Sequence, residues 1–387
     1  MRVLQFFLDR SKQLNQTPYA PHALAYQAPN KKYKIIHQAL MIPNLPAPLH
    51  YLNFLSIIGQ PNAPMLCNPS AIQTTALDTA TVICSSSPHM HGHFNHYSIE
   101  KECQFQNNRF EFLDREKLQG SFPEFRLTRK DSELSFDLKI QTSTLISHFT
   151  HMRFSLAEHW SLLCECQGWI QYQDQRYMIE SLASFEYARS FNFPYLPLAF
   201  FTYQVINLSR NRQILLAQIR DSYNAIIQSR IYLRDLNQQT SQMFEDRVYF
   251  KVHRVYPQVV TPNGQKMYLP REFAWSYQND QDGMNIQIQA QSRGDFKFGV
   301  AAGYVGSFCY DITINNETEK GEGGYCEYID CRTLKFQEND KHENLINNFA
   351  NIAAITTKTR EKVLFGSINK RAIEKIENRG CVGCEIL

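Results

Sequence analysis

The sequence has little net charge and lacks a long hydrophobic run. Its 387 residues contain 40 Lys and Arg against 37 Asp and Glu, which gives a formal net charge of +3. A charge this small supplies no basic field over the whole chain, so we expect neither nucleic-acid binding nor polybasic attachment to a membrane. No apolar run approaches the roughly 18 residues that a membrane-spanning helix needs, and we therefore expect no membrane span.

We also expect neither a secretory leader nor a disulfide framework. Residues 1–10 contain too short an apolar run for a signal peptide. The 10 cysteines lie far apart, so we expect reduced, mostly buried thiols in a cytoplasmic protein. Cys381 and Cys384 form a C-x-x-C motif, and Cys384 also stands where a C-a-a-X box would be prenylated. We expect an unmodified tail, because Glu385 fits that box poorly.

Common catalytic signatures are missing as well. The sequence contains no G-x-G-x-x-G after a strand, no Walker loop, no G-x-S-x-G elbow and no H-E-x-x-H motif. The glycine cluster at 321–324 would end a hairpin, and we attribute it to turn geometry rather than to phosphate binding. These absences argue against the dinucleotide-binding, P-loop, serine-hydrolase and zinc-protease classes.

Aromatic residues are abundant, with 26 Phe and 20 Tyr against 3 Trp, and the middle of the chain alternates apolar with polar residues. From about residue 81 to residue 291, short alternating runs are separated by turn signals about every ten residues. The clearest runs are 135–140, 169–172, 213–219, 229–233, 247–252 and 285–289. Many short strands at this spacing are typical of β-sandwiches and β-barrels. Residues 212–236 look amphipathic, but the turn signal at 221–224 divides them, so we predict a hairpin.

The two ends of the chain differ from this middle. Residues 1–60 are rich in Asn, Gln and Pro, which predicts an irregular wrapping segment with one short helix near its start. After residue 334, apolar residues recur every three or four positions, as they do from Leu345 to Ile355. This spacing predicts two C-terminal helices.

A repeat connects the two halves of the chain. The matching segments are 163–170 with 183–189 in the first half and 301–308 with 324–330 in the second. The match aligns Gly168 with Gly306 and Glu186 with Glu327, and a Tyr follows each Glu. Each half therefore contains an alternating strand, a Gly-containing strand and a strand that ends in Glu-Tyr. Such a repeat predicts two copies of one antiparallel β unit.

The motifs of this repeat resemble those of a known superfamily. The stretches G-Y-V-G-S-F at 303–308 and G-Y-C-E-Y-I-D at 324–330 resemble motifs of the double-lipocalin (calycin-like) superfamily. That superfamily includes AttH-like proteins, carotenoid 1,2-hydratases, tocopherol cyclases and fungal pericyclases. Residues 159–189 are similar to its motif at the end of the first barrel, and the strongest likeness is to an uncharacterised bacterial branch. The resemblance implies a mainly β fold of two fused antiparallel lipocalin-like barrels.

The repeat and the resemblance together predict four parts of the chain. These are an irregular N-terminal segment (1–60), a first barrel (61–195), a second barrel (196–335), and C-terminal helices with a tail (336–387). Small barrels are filled by side chains or hold one small apolar ligand. We therefore expect binding of a small hydrophobic molecule (a lipid, isoprenoid or polyketide) without a cofactor, although such aromatics more often only pack a core. The candidate ligand-binding residues are Trp160, Trp169, Tyr187, Tyr304, Phe308, Tyr325 and Tyr328.

The alternative is a cofactor-free hydratase, isomerase or cyclase that acts on an apolar polyene. A carboxyl group inside an apolar barrel would have a raised pKa and could protonate an alkene, so the candidate proton donors are Glu186, Glu327 and His159. The hydratase-like relatives continue the second motif with Asp-His or Asp-x-x-Trp-Gly, whereas this chain has Glu-Tyr-Ile-Asp at 327–330. Because Glu-Tyr recurs in both halves, we favour a structural role, such as an ion pair of Glu186 with Arg189. A third hypothesis is an interaction protein with filled barrels.

A histidine cluster is the remaining candidate site. In a strand, His89, His91 and His93 would share one face, and three imidazoles on one face can bind zinc or copper. Gly92 and the preceding Ser-Pro sequence indicate a loop instead, because they interrupt a strand pattern. We therefore do not expect a metal site there.

Overall fold

The structure is a computed structural model that describes residues 9–16, 24–279, 281 and 283–332. Within these ranges the chain is mostly β with few helices, and no helix is long and apolar enough to cross a membrane. The helices are α1 (Ser11–Leu14), α2 (Ile99–Glu102) and the 3-10 turns Pro69–Ala71, Ala76–Asp78 and Arg153–Ser155. The predicted C-terminal helices, Cys381 and Cys384 lie outside the described residues.

The first half of the chain forms an 11-stranded antiparallel sheet in the order β4-β3-β2-β1-β11-β10-β9-β8-β7-β6-β5. Its strands are β1 (Ile35–Pro43), β2 (Tyr51–Ile58), β3 (Thr79–Ser86), β4 (Phe94–Ser98), β5 (Cys103–Gln106), β6 (Arg109–Phe112), β7 (Glu116–Ser121), β8 (Glu124–Arg129), β9 (Leu134–His151), β10 (Ala157–Tyr172) and β11 (Gln175–Ser190). The short helix α2 joins the two edge strands, β4 and β5.

The second half forms a 10-stranded sheet in the order β15-β14-β13-β12-β23-β22-β20-β19-β16, with β21 paired to β22. Its strands are β12 (Leu198–Leu208), β13 (Arg212–Asp221), β14 (Ile226–Asp235), β15 (Thr240–Phe244), β16 (Val248–Val255), β19 (Pro270–Asn279), β20 (Met284–Ser292), β21 (Lys297–Val300), β22 (Gly303–Ile314) and β23 (Glu317–Asp330). Strands β17 (Val259–Val260) and β18 (Lys266–Met267) form a separate pair. The two large sheets form a nearly closed barrel and a half-barrel, which confirms the predicted fold class.

The two sheets repeat one topology. In each, the first strand pairs with the last strand of the same half: β1 with β11, and β12 with β23. The alternating runs named from the sequence lie within strands, except that Arg247 precedes β16, and the predicted hairpin at 212–236 is the β13–β14 pair.

Residues 35–58 contradict the prediction of an irregular segment over residues 1–60. They form β1 and β2, which pair with each other and with the rest of the first sheet. The prolines that favoured irregular structure lie at the end of β1 (Pro43) or in the β1–β2 connection (Pro46 and Pro48), where a missing N–H breaks few ladder bonds. The first barrel therefore begins at Ile35, and α1 is the short helix predicted near the start.

The strands at the centre of each sheet are buried on both faces. On β1, Ile36 and Leu40 belong to the core inside the first barrel, whereas Ala39 and Met41 belong to a third core that includes residues of both sheets. On β12 of the second sheet, Ile206 packs inside the second barrel, whereas Val205 joins that third core. Alternate residues therefore face either a barrel interior or the layer between the barrels, which we call the inter-barrel layer.

The strand register corrects the alignment of the two repeat glycines. Gly168 lies opposite Ile179, seven residues before Glu186, whereas Gly306 lies opposite Cys326, directly before Glu327. The two glycines therefore occupy different positions relative to the two equivalent glutamates.

The glycine cluster at 321–324 lies inside β23 and not at its hairpin turn. A Cβ atom on Gly324 would stand 2.4 Å from the ring of Phe308, and one on Gly321 would stand 2.3 Å from the ring of Tyr310. Close packing of aromatic rings, and not turn geometry, therefore requires glycine at these two positions.

Candidate functional site

A row of four side chains crosses the interior of the first barrel. The strand registers place Ser56, Gln38, Tyr187 and Trp160 next to one another on β2, β1, β11 and β10. Directly opposed residues of antiparallel strands point to the same face, and Tyr187 and Trp160 belong to the core inside the barrel. All four are at most 1% exposed. We call this set the interior row.

Three polar atoms of the interior row have no hydrogen-bond partner within the described part of the chain. They are Oγ of Ser56, Oε1 of Gln38 and Nε1 of Trp160. An unpaired buried polar group costs about 1–3 kcal/mol, and folded proteins pair the great majority of such groups. The interior row is therefore an unsatisfied polar patch inside the first barrel: the Trp160 N–H donates, Oε1 of Gln38 accepts, and the Ser56 hydroxyl can do either.

The ring of Tyr26 covers the interior row. Tyr26 belongs to residues 24–33, an irregular segment that we call the N-terminal strap. Its hydroxyl accepts a hydrogen bond from Nε2 of Gln38 at 3.1 Å, and its ring lies 5.2 Å from that of Tyr187. Burial raises the pKa of the Tyr26 hydroxyl well above its usual value. The hydroxyl of Tyr187 in turn donates to the carbonyl oxygen of Gln27 at 3.1 Å.

Two side chains at the corresponding positions of the second barrel donate hydrogen bonds to neighbouring residues. The registers place Gln218, Thr202, Tyr328 and Tyr304 at the matching positions. The hydroxyl of Thr202 donates to the backbone carbonyl oxygen of Glu327 at 3.1 Å, and Nε2 of Gln218 donates to a serine hydroxyl at 3.0 Å. Among the described residues, the interior row therefore has unpaired buried polar atoms that its counterpart in the second barrel lacks.

The seven aromatic residues predicted to bind a ligand lie in four environments. Trp160 and Tyr187 lie inside the first barrel, Tyr304, Phe308 and Tyr328 lie inside the second, and Tyr325 lies in the inter-barrel layer. Trp169 is half-buried under the guanidinium of Arg176, 4.2 Å from the ring centroid. The structure therefore brings only Trp160 and Tyr187 together with the unpaired polar atoms.

Glu186 and Glu327 face the inter-barrel layer and neither barrel interior. Phe185 and Tyr187 on β11, and Cys326 and Tyr328 on β23, point into the barrels, so alternation turns the glutamate between each pair outward. Both glutamates are buried, at 3% and 4% exposed. The carboxyl groups of Glu186 and Glu327 therefore lie outside both barrel interiors, whereas the proton-donor hypothesis placed them inside.

Hydrogen bonds hold both oxygens of the Glu186 carboxylate. Oε1 accepts from the hydroxyl of Tyr203 at 2.5 Å and from that of Ser184 at 3.3 Å, and Oε2 lies 3.2 Å from Nε2 of His159. Burial favours a higher pKa for Glu186, but His159 and His37 outweigh it and lower the pKa to about 2. The expected pair of Glu186 with Arg189 is absent, because the Arg189 guanidinium contacts Glu158 at 3.0 Å.

Glu327 has the opposite electrostatic environment. Its Oε1 accepts a hydrogen bond from the hydroxyl of Tyr325 at 3.0 Å. Burial, followed by repulsion from Glu186, raises the pKa of Glu327 to about 8. Burial and neighbouring charges therefore shift the pKa values of the two carboxyl groups in opposite directions.

Sequence reasoning missed His37 and Tyr203, which both belong to this polar layer. His37 lies opposite Ala188 of β11, and His159 lies opposite the same residue from the other side. The rings of His37 and His159 are 5.5 Å apart. The apolar run of β1 was the available signal for a strand there, but the prolines around it favoured irregular structure.

The cluster of His89, His91 and His93 lies in the connection between β3 and β4 and not in a strand. His89 is fully buried, and burial followed by the charge of Arg129 lowers its pKa to about 4. His91 is exposed, and Nε2 of His93 contacts the carbonyl oxygen of Phe298 at 3.0 Å. His91 therefore stands apart from His89 and His93, whose ring centroids are 6.5 Å apart, and the three do not lie on one strand face.

An open surface pocket of about 960 Å³ is lined by β5 to β10 of the first barrel. Charged and amide side chains dominate its lining, including those of Arg126, Lys139 and Glu165. A mainly polar, open pocket of this kind is poorly suited to an apolar ligand.

Comparison with known proteins places the chain in a family. Residues 55–343 match DUF6670, a family of unknown function, and no curated protein matches the sequence. An AttH-like protein of Nitrosomonas europaea superposes with a TM-score of 0.53 at 15% identity, covering 77% of this chain and 93% of that one. Kievitone hydratase of Nectria haematococca gives a TM-score of 0.47 at 10% identity, covering 81% and 98%, and CghA gives 0.40 at 8%, covering 83% and 96%. The chain belongs to the DUF6670 family and has the double-lipocalin fold of AttH-like proteins.

Proposed function

We propose that the first barrel binds one small, mainly apolar molecule that carries a polar group. The observation that carries this proposal is the set of unpaired atoms in the interior row, on Ser56, Gln38 and Trp160. A ligand hydroxyl or carbonyl group would accept a hydrogen bond from the Trp160 indole N–H. A ligand hydroxyl could also donate to Oε1 of Gln38. Such contacts would remove the cost of burying these groups unpaired.

The ring of Tyr26 occupies the place where such a molecule would bind. Its centroid lies 5.1 Å from that of Phe125 and 5.7 Å from that of Phe110, so aromatic side chains already surround it. The Tyr26 hydroxyl accepts a hydrogen bond from the NH₂ group of Gln38. Oε1 of Gln38, the Ser56 hydroxyl and the Trp160 N–H stay unpaired. A lipid, isoprenoid or polyketide with a terminal oxygen would match both the apolar wall and the unpaired atoms.

The N-terminal strap can exchange with a ligand, because few regular contacts hold it. It forms no strand or helix, and such segments open locally at low free-energy cost. Its C-terminal end is anchored by Tyr33, whose hydroxyl donates to the carbonyl oxygen of Ser155 at 2.9 Å. The Arg189 guanidinium also lies 4.2 Å from the centroid of the Tyr33 ring. Residues 24–29 could therefore move out while Tyr33 stays in place.

Binding without turnover is the function that we favour over a cofactor-free hydratase, isomerase or cyclase. Glu186 and Glu327 face the inter-barrel layer, on the opposite side of their strands from the interior row. His159 also lies on that side, with its ring 4.7 Å from Phe149. None of the three proposed proton donors is thus directed at a ligand of the interior row.

A pair of probes tests the proposal. We would titrate the wild-type chain and a Tyr26→Ala variant with 2-naphthol and with 2-methylnaphthalene. In the second probe a methyl group replaces the hydroxyl group of the first. Tyr26→Ala is expected to bind 2-naphthol at least about 10-fold more tightly than the wild type, since a side chain no longer competes. It should also prefer 2-naphthol over 2-methylnaphthalene, and adding Trp160→Phe should reduce that preference.

Two results would overturn the proposal. One is a folded Tyr26→Ala variant, with unchanged circular dichroism, that binds neither probe. The other is equal affinity for both probes, which would indicate a nonspecific apolar cavity. Tyr26→Phe is the matched control, since it keeps the ring in place and should bind 2-naphthol as weakly as the wild type.

A further inference from the structure

We infer that His37, His159 and Glu186 form a binding site for one divalent transition-metal ion of the zinc type. The three residues lie on adjacent strands, β1, β10 and β11. The two histidines lie opposite Ala188 from either side, and Glu186 precedes Ala188 by two residues on the same face. One potential ligand atom from each side chain falls within 4.8 Å of the others.

The distances between the ligand atoms fit a metal ion. Oε2 of Glu186 lies 3.2 Å from Nε2 of His159 and 3.8 Å from Nε2 of His37. Two ligands of a tetrahedral zinc ion, each bound at about 2.1 Å, stand about 3.4 Å apart. Small side-chain adjustments would therefore bring all three atoms into coordination, without movement of the strands that carry them.

A hydrogen bond to the backbone orients the His37 ring so that Nε2 faces the site. Its Nδ1 lies 3.0 Å from the backbone carbonyl oxygen of Ser56, which can only accept, so Nδ1 carries the proton. Nε2 then lies 3.8 Å from Oε2 of Glu186, where either a second ring proton or a metal ion would bridge the two atoms. A backbone carbonyl that accepts from the second nitrogen is also the usual partner of a metal-binding histidine.

Hydrogen bonds also orient the carboxylate of Glu186 toward the two histidines. Tyr203 and Ser184 donate hydrogen bonds to Oε1 and leave Oε2 to face the two imidazoles. His159 donates to Oε2 through Nε2 in the metal-free chain. When a metal binds, that proton moves to Nδ1 of the same ring, so His159 stays neutral and Nε2 becomes a ligand.

The site is reachable from solvent. The side chains of His37 and His159 are 19% and 27% exposed, whereas that of Glu186 is 4% exposed. Two imidazoles and one carboxylate suit zinc and neighbouring first-row ions, and are a poor set for calcium or magnesium.

The site is separate from the proposed ligand site. Strand alternation turns His37 and Glu186 toward the inter-barrel layer and their neighbours Gln38 and Tyr187 toward the barrel interior. The metal inference therefore does not depend on whether the interior row binds a ligand.

Zinc titration of the full chain tests the inference. The protein would be purified without a histidine tag, with Cys381→Ser and Cys384→Ser introduced to remove the C-x-x-C motif, and stripped with a chelator. Calorimetric titration with zinc chloride should give one ion per chain, and magnesium chloride should give no binding. His37→Ala should weaken zinc binding at least about 100-fold, and Tyr203→Phe, which removes an outer contact, about 10-fold or more.

His91→Ala is the matched control, because it removes an exposed histidine outside the site and should leave zinc affinity unchanged. A zinc stoichiometry near zero in the stripped, folded protein would overturn the inference, as would wild-type affinity in a folded His37→Ala variant. Cobalt gives a second readout that needs no variant. The bound ion should show visible d–d bands without a thiolate charge-transfer band, and a thiolate band would place the metal on cysteine and contradict the site.

Discussion

The hydroxyl of Tyr203, on the first strand of the second barrel, donates a hydrogen bond of 2.5 Å to Glu186, on the last strand of the first barrel. The backbone of Tyr203 lies directly opposite Glu327. One tyrosine thus joins the two repeat glutamates. Burial and neighbouring charges lower the pKa of Glu186 and raise that of Glu327. The inter-barrel layer therefore joins the two units through polar contacts, which also include those of Arg234 with Ser161 and Ser184, as well as through apolar packing.

Loss of this hydrogen bond should weaken the whole protein. Tyr203→Phe removes a donor to a buried, ionised carboxylate, and hydrogen bonds to charged groups contribute about 1.5–3 kcal/mol. We expect a loss of that size in the free energy of unfolding, measured by urea denaturation at pH 7. Tyr249→Phe is the control, since Tyr249 is 63% exposed and its hydroxyl is accessible to water. A Tyr203→Phe variant as stable as Tyr249→Phe would contradict this role.

The contributions of Glu327 and Glu186 to the free energy of unfolding should change with pH in opposite directions. The pKa of Glu327 is raised from 4.5 to about 8, so the folded state retains a proton that the unfolded state releases. Stability from Glu327 is then fully present below pH 4.5 and falls as pH rises toward 8. Glu327→Gln imitates the protonated form, and it should stabilise the protein by up to about 3 kcal/mol at pH 7 while flattening this decline.

Glu186→Gln should behave in the opposite way. The pKa of Glu186 is lowered from 4.5 to about 2, so its contribution is present above pH 4.5 and is lost as pH falls toward 2. The variant should therefore be less stable than the wild type at pH 7 and approach it in acid. Urea denaturation at pH 4, 6 and 8 measures both variants. The same sign for the two variants at pH 7 would show that the carboxyl groups are not held in different protonation states.

Gly324 should not tolerate a side chain. An added Cβ would stand 2.4 Å from the Phe308 ring, which is fully buried and cannot move aside without repacking the second barrel. Overpacking of this kind costs about 1–3 kcal/mol, and we expect that loss from Gly324→Ala in thermal and urea denaturation. The double variant Gly324→Ala with Phe308→Leu should recover part of it. Full stability of Gly324→Ala alone would show that the ring packing does not restrict this position.

Two buried tryptophans provide a test of the unpaired interior row. Trp160 has no partner for its indole N–H among the described residues, whereas Nε1 of Trp275 in the second barrel donates to Oε1 of Gln204 at 2.8 Å. Replacement by Phe removes a similar volume at both sites, but only Trp275→Phe leaves an acceptor unpaired. We expect Trp275→Phe to cost at least about 1 kcal/mol more than Trp160→Phe in urea denaturation without ligand. Equal costs would indicate that the Trp160 N–H is already satisfied.

Alternation made most of the fold predictable from the sequence. Runs such as 135–140 and 285–289 have the period of two that a half-buried strand imposes, and each lies in a strand. Strands β1 and β2 escaped prediction because central strands buried on both faces lose that alternation and read as continuous apolar runs. The prolines around them then favoured irregular structure, although they lie at strand ends.

The candidate sites were less predictable, because they depend on which residues face each other across strands. Glu186 was identified from its repeat, but its direction follows from the packing of its neighbours Phe185 and Tyr187 inside the barrel. His37 is 149 positions from Glu186 in the sequence, and no local spacing connects the two. Only the pairing of β1 with β11 brings them together.

Native mass spectrometry of freshly purified, full-length protein tests the central claim most directly. The account predicts a complex with one small organic molecule per chain, which solvent extraction releases and which carries an oxygen-containing polar group on an apolar body. Trp160→Phe should reduce the occupied fraction, whereas Trp275→Phe should leave it unchanged. Protein that shows only its bare mass, and that still fails to bind 2-naphthol as the Tyr26→Ala variant, would contradict a ligand site in the first barrel.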